Sequence, residues 1–347
     1  MSHETVRLVD IAERVGISVS AVSAVLNNKA EEARISPDVQ RRVWAAVREL
    51  GYQPNIAARR LRAGGRSDRS IYLAIATSLE TSMDLLGMVV RGVQQFAARA
   101  EQPIQLTIET FRRGHVAELP GLLDGTRFNG AIVANTAPED DEYLASVGVP
   151  LPIVVFLREV EGQSWVSSRP REVGAQAAEL FLAAGRRRPA VLVPADQTQV
   201  RRERQEGYLQ ALAKAGLPRD EIVELVGDSF SQEDGYRAVE RYLRGGGRFD
   251  ALFAVGDIMA FGALPAIKAA GLRIPEDVAV IGHDDLEMAR YVDPPLTTFR
   301  LPLVDMASDA AAMVMEMLNR RHTSPMHRVY DAELIVRQST SKIPAQA

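Results

Sequence analysis

Between Leu8 and Val15 the apolar residues fall at positions 8, 11, 12 and 15, which is one face of a short helix. Gly16-Ile17-Ser18 follows. The glycine supplies a turn at no steric cost, and Ser18 is an N-cap for a second helix running to Leu26. Val22, Val25 and Leu26 form the inner face of that helix, and Asn27-Asn28 ends it. Ser36-Pro37 reads as N-cap plus proline at the first helical position of a third helix. Val39, Val43, Val47 and Leu50 are its stripe, and Gly51 its stop. Two helices this short cannot bury a core alone, so the third is required. The small Ala12, with Gly16, Val22 and Val25 at these offsets, predicts a helix-turn-helix.

From Ile71 the pattern changes. Apolar runs at 71–76, 104–108, 130–134, 153–156, 190–193, 222–225, 251–254 and 278–281 predict strands. Amphipathic stretches at 86–100, 173–184, 202–215, 231–245, 257–270 and 303–320 predict helices between them. Continuous apolar strands alternating with helices imply a parallel sheet covered on both faces. The expected fold is therefore an all-α helix-turn-helix head with a hinge helix, followed by an α/β core. Ligands in such cores bind at the ends of strands, in strand-to-helix loops.

Charge divides along the same boundary. Residues 1–69 hold twelve Lys+Arg against eight Asp+Glu, so the head carries +4 and the rest −8 within an overall −4. A basic head suits an anionic partner. There are no cysteines, the first ten residues lack a signal-peptide core, and no apolar run is long enough to span a bilayer. A cytoplasmic protein with no membrane partner is expected. The five histidines show no metal-ligand spacing, and no dinucleotide, P-loop or nucleophile-elbow motif is present, so neither cofactor, metal nor catalytic residue is expected. The rival reading, a solute-binding protein without a DNA role, leaves the head unexplained.

The second helix of such a head enters the major groove. Its outward positions are Val19, Ser20, Ala21, Ser23 and Ala24, all small, offering methyl contacts and short hydroxyl hydrogen bonds to base edges. Arg7, Ser18, Ser23, Asn27, Lys29 and Arg34 are placed for phosphates. After Tyr52-Gln53-Pro54, a short helix starting near Asn55 and ending at Gly64-Gly65 would be a hinge, with Ala57, Ala58 and Leu61 on one side and Arg59, Arg60 and Arg62 flanking.

The run from Val6 to Asn28, the stretch from Val43 to Asn55 and the hinge ending Arg60-Leu61 resemble the LacI/GalR repressor family. So do Phe253-Ala254-Val255-Gly256-Asp257 and the block from Gly271 through Ile274-Pro275-Glu276-Asp277-Val278 to Gly282-His283-Asp284-Asp285. Pro294-Pro295-Leu296-Thr297-Thr298 and Leu334-Ile335-Val336-Arg337-Gln338-Ser339-Thr340 complete the likeness. The resemblance implies a homodimeric regulator that binds a pseudo-palindromic double-stranded DNA operator. Paired hinge helices would sit in the minor groove, with Leu61 wedged between base pairs and Asn55, Ala58, Arg59 and Arg62 beside it. Residues 1–64 would be head and hinge, and 65–347 a core similar to periplasmic sugar-binding proteins. Its first subdomain would be 70–164 with 298–328, and its second 165–297 with 329–341.

The same resemblance puts a small-molecule effector, sugar-like, between the subdomains. Arg204 matches the arginine that contacts effector and could fork onto hydroxyls or a carboxylate. Phe230 matches an aromatic platform, and Asp284 a carboxylate that accepts hydroxyl hydrogen bonds. Ser82, Met83, Arg158, Trp165 and Asp257 complete the implied wall. Three departures stand out. The usual Asn before Asp257 is Gly256, a frequent Asp is Leu157, and an aromatic pair is replaced by Met83-Asp84-Leu85-Leu86. A changed set of polar readers implies a changed ligand.

Overall fold

The computed structural model describes residues 8–26, 30, 33–50, 70–78, 81–122, 127–146, 149, 151–196, 198–319 and 324–340. Arg7, Asn27, Lys29 and the whole expected hinge, with Asn55, Ala58, Arg59, Leu61 and Arg62, lie outside the described residues.

The head is three helices, α1 (Leu8–Val15), α2 (Val19–Leu26) and α3 (Pro37–Leu50). Gly16 takes φ +73° in the α1–α2 turn, and the Ala21 amide donates to Ser18 Oγ at 3.2 Å, so turn and cap form as their residue types dictate. Ile11, Val22 and Val43, one from each helix, are wholly buried against one another. Each such burial stabilises by roughly 1.5–3 kcal/mol. Arg42 and Arg14 of the outer faces tie the bundle, to the Val15 carbonyl at 2.5 Å and Glu49 at 2.9 Å.

The core holds two six-stranded sheets. The first contains β1 (Ile71–Ser78), β2 (Ile104–Phe111), β3 (Gly130–Ala134), β4 (Ile153–Phe156), β5 (Ser164–Ser168) and β11 (His327–Tyr330), in the order β11-β5-β4-β3-β1-β2. The second contains β6 (Pro189–Pro194), β7 (Val223–Gly227), β8 (Ala251–Ala254), β9 (Ala279–His283), β10 (Thr297–Arg300) and β12 (Glu333–Ile335), in the order β12-β10-β9-β8-β6-β7. All pairings are parallel except β10 with β12. Each sheet buries an apolar cluster on either face.

Helices α4 (Met83–Ala97), α5 (Pro138–Ser146) and α10 (Leu303–Leu318) belong with the first sheet. Helices α6 (Pro170–Ala183), α7 (Gln199–Lys214), α8 (Gln232–Arg244) and α9 (Asp257–Ala269) belong with the second. The chain passes between sheets just after Ser168, just after Arg300 and between Tyr330 and Glu333. These crossings lie a few residues later than positions 164/165, 297/298 and 328/329. The reason is that the polar segments Ser164–Ser168, Thr297–Arg300 and His327–Tyr330 are themselves strands, each completing the sheet it follows.

Candidate functional site

Two surfaces concern function. On the head, Val19 is 39% exposed and Ser20 is exposed, while Ala21, Ser23 and Ala24 are half-buried on the same outer side of α2. Ser18's hydroxyl is engaged in capping and in a 2.9 Å hydrogen bond with Ser20. The outer face of α2 therefore offers methyls and hydroxyls and no charge.

The second surface is a cleft with walls from both sheets, about 970 Å³ of empty space with its mouth included. The first sheet contributes Ser82, Leu85, Asn135, Thr136, Phe156, Leu157, Arg158 and Ser168. The second contributes Thr198, Gln199, Arg201, Arg204, Phe230, His283 and Asp284. These residues sit at the carboxyl ends of β1, β3, β4, β5, β6, β7 and β9 or in the first turns of the helices that follow, where a parallel sheet leaves its concavity. Outside the cleft lining, a 2.8 Å ion pair joins Arg113, after β2, to Asp196, after β6, and so links the two sheets' loops.

Five residues implied by the resemblance meet here: Ser82, Arg158, Arg204, Phe230 and Asp284. Ser82 Oγ accepts from the Leu85 amide at 3.3 Å and caps α4. Arg158, 6% exposed, pairs with Asp141, its Nε donating at 2.5 Å, and Thr136 donates to the other oxygen of the same carboxylate at 2.7 Å. Arg204, 4% exposed, donates to the Val255 carbonyl. Burial brings its pKa down to about 10, against the field of Asp284, so it stays protonated.

Three expected wall residues are not in the lining. Met83 points outward, 77% exposed. Trp165 is turned away because β5 pairs with β11 in the register Trp165↔His327, and the two rings stack with centroids 4.3 Å apart. Asp257 lies beneath the cleft, fully buried, accepting from Thr298 Oγ1 at 2.6 Å and from the Leu286 amide at 2.9 Å. Burial and then the neighbouring Asp284 raise its pKa to about 8, so it is a neutral acid that orders the floor.

Other residues in the lining were not foreseen. Asn135, at φ +57°, donates from Nδ2 to Ser78 Oγ at 2.5 Å and Thr81 Oγ1 at 3.0 Å. Arg201 lies one turn before Arg204 on α7, a spacing of three that the sequence displays. Its guanidinium stands 3.6 Å over the Phe230 ring centroid, so one face of that ring is occupied by a cation. Among the described residues, three buried polar atoms of the lining have no partner: Arg158 Nη1, Thr198 Oγ1 and Arg204 Nε. Buried donors without partners are costly in a folded chain, and a ligand would satisfy them. Among the described residues, no cluster of side chains is arranged to hold a metal ion.

Comparison with known proteins agrees with this architecture. Residues 7–55 match the family model described as bacterial regulatory proteins, lacI family, and residues 178–340 match a periplasmic binding protein-like domain. The HTH-type transcriptional regulator CelR of Thermobifida fusca is 31% identical over 339 residues, covering 95% of this chain and 96% of that one. The HTH-type transcriptional repressor PurR of Escherichia coli is 28% identical over 352 residues, covering 96% and 97%. The solved CelR–cellobiose complex superposes with a TM-score of 0.67 at 27% identity, covering 96% of this chain and 99% of that one. A helix-turn-helix head joined to a two-sheet cleft, matched end to end by such relatives, makes the chain a transcriptional regulator of the LacI family.

Proposed function

We propose that the chain is a repressor that binds a pseudo-palindromic DNA operator as a homodimer in the cytoplasm, with affinity set by a small molecule in the cleft. The observation that carries the effector half is the set of unpartnered buried donors on Arg158, Thr198 and Arg204 around one cavity. The outer face of α2 supports the DNA half: Val19, Ser20, Ala21, Ser23 and Ala24 are small enough to bring the helix against base edges. Ser18, with Arg7 and Asn27, would hold phosphates. Asn55, Ala58, Arg59, Leu61 and Arg62 would form the hinge contact, and residues 65–347 the sensing unit. One relative is named as a repressor and another was solved with cellobiose, which favours a regulator over an enzyme and a sugar-like effector class.

The reading is tested by selecting operator fragments from a random DNA pool with the full-length protein. Inverted half-sites should be enriched, bound by two chains, with affinity falling steeply as salt rises. Enrichment of no sequence, or binding by a single chain, would refute the operator reading. In relation to the cleft, the effector should change that affinity by an amount typical of allosteric coupling, about 5–150-fold. The sign, release or tightening, comes from the same titration.

A further inference from the structure

The ionisable groups of the cleft leave one positive charge over. Arg158 is matched by Asp141. Asp257, below the floor, is a neutral acid near pH 7, and burial with the Arg204 field holds His283 neutral. Arg201 and Arg204 remain, and they make no ion pair among the described residues. Among the described residues, Asp284 is the one carboxylate of the lining to set against them.

A second observation concerns how Arg201 is held. A Cβ at position 256 would fall 2.3 Å from Phe230 Cζ, so only glycine lets the ring lie where it does. The ring in turn carries the Arg201 guanidinium. Gly256 replaces the Asn usual at this point of the resemblance. A neutral hydrogen-bonding group is thus exchanged for a ring and the cation stacked on it. The same turn of α7 places Thr198 and Gln199 at a helix N-terminus lining the cleft, whose backbone dipole favours negative charge. Behind it stands Arg204, buried, with its Nε unpartnered.

We propose that the effector is a small hydroxylated monocarboxylate. Its carboxylate is met by Arg201 and Arg204 at the start of α7, and its hydroxyls are read by Asp284. Guanidinium groups match a carboxylate's two oxygens in plane. The excess is a single positive charge, which a carboxylate neutralises, whereas a phosphate monoester brings about −1.5 to −2. With one face of Phe230 taken by Arg201, the ring serves to hold the cation rather than to stack on a neutral sugar. This assignment rests on the cleft being the effector site.

The test is the melting temperature of the full-length protein at constant ionic strength. The probes are glucuronate, galacturonate and gluconate, their neutral counterparts glucose, galactose and glucitol, and glucose 6-phosphate. At least one acid should raise the melting temperature while its neutral counterpart does not. Arg201→Gln and Gly256→Asn should each weaken that acid's binding by about tenfold or more. The unliganded Arg201→Gln protein should melt no lower than wild type, because it loses a cation without an ion-pair partner. Neutral sugars acting as strongly as the acids would overturn the assignment, as would the phosphate acting alone or an acid response that survives Arg201→Gln. If the neutral sugars act and Asp284→Ala abolishes the response, the cleft reading stands and only the charge assignment falls. Silence from every probe would overturn both.

Discussion

His283 Nδ1 lies 2.8 Å from Asp284 Oδ1, with the imidazole almost wholly enclosed at the end of β9. Burial, and then the Arg204 charge, push the histidine pKa down to about 4, although the Asp284 hydrogen bond opposes them. Burial also works against the Asp284 carboxylate, but the hydrogen bond to His283 and the cations Arg204 and Arg201 outweigh it and leave its pKa below the ordinary value. At neutral pH the pair is therefore a neutral ring beside a carboxylate. A neutral ring can use Nδ1–H as a donor that fixes which way the carboxylate faces the cleft.

That pair and Asp257 set opposed pH dependences. As pH falls from about 6.5, the unfolded histidine takes a proton that buried His283 refuses until about 4, so stability is lost across that window, by up to about 3 kcal/mol. Asp257 works the other way. As pH rises from 3.8, the unfolded carboxyl ionises while the folded one waits until about 8, so stability is lost as pH rises. Below about pH 6.5 the two slopes offset; above it only Asp257 acts. Denaturant titrations should show wild-type stability dropping by about 2 kcal/mol from pH 6.5 to 8. The drop should vanish in Asp257→Asn, whose amide can still accept from the Leu286 amide and donate to Thr298. An unchanged slope in that variant would show that Asp257 is not the group responsible.

Asp284 also bends the chain, at φ +115°, a region that favours glycine. Such backbone strain costs about 1–3 kcal/mol. Asp284→Ala and Asp284→Gly should both lose effector response, since both remove the carboxylate. The glycine variant should be the more stable of the two by about 1 kcal/mol, read from paired unfolding curves. Equal stability would mean that the site stores no strain.

The arginine-bearing helix is set by contact between backbones. A Cβ on Gly174 of α6 would lie 1.9 Å from the Arg204 carbonyl oxygen, and one on Gly207 of α7 would lie 2.0 Å from the Arg171 carbonyl oxygen. Gly174→Ala must therefore push α7, with Arg201 and Arg204, away from its seat. Overpacking of this kind costs about 1–3 kcal/mol or more. Calorimetry should show a lower melting temperature together with weaker effector binding. Loss of stability with unaltered binding would mean that α7 shifts without moving its arginines.

In the head, Ser18→Ala removes the oxygen that accepts from the Ala21 amide. The expected loss is about 1 kcal/mol of head stability. Hydrogen exchange should be faster for the amides of α2, while protection of the two core sheets is unaffected. Exchange unchanged in α2 would show that the cap contributes nothing.

Local periodicity made the head legible. Every feature of α1, the Gly16 turn and α2 depends on residues within a turn or two of one another, so spacing alone discloses it. The buried central strands were legible for a related reason. Gly130–Ala134, Ile153–Phe156 and Ala251–Ala254 are enclosed on both faces and so read as unbroken apolar runs. The acidic helix Pro138–Ser146 and the strands Ser164–Ser168, Thr297–Arg300, His327–Tyr330 and Glu333–Ile335 carry no such pattern. The strands among them form because a neighbouring strand offers hydrogen bonds, and that neighbour is distant in sequence, as β5 is from β11 and β10 from β12.

The cleft divides in the same way. The residue types at 158, 204, 230 and 284 could be read from motif positions. Whether a side chain faces the cavity depends on register and packing between distant segments. Trp165 left the site because of its pairing with His327, and Asp257 sank beneath it to meet Thr298. Arg201 entered because a missing Cβ at Gly256, fifty-five positions away in the sequence numbering, makes room for the ring that carries it. Sequence determines which groups are present and the local helix or strand they ride on. Only the packing of the sheets and their helices decided which of those groups share one enclosed space, because charge, burial and hydrogen-bond satisfaction in a cleft are properties of neighbours in space.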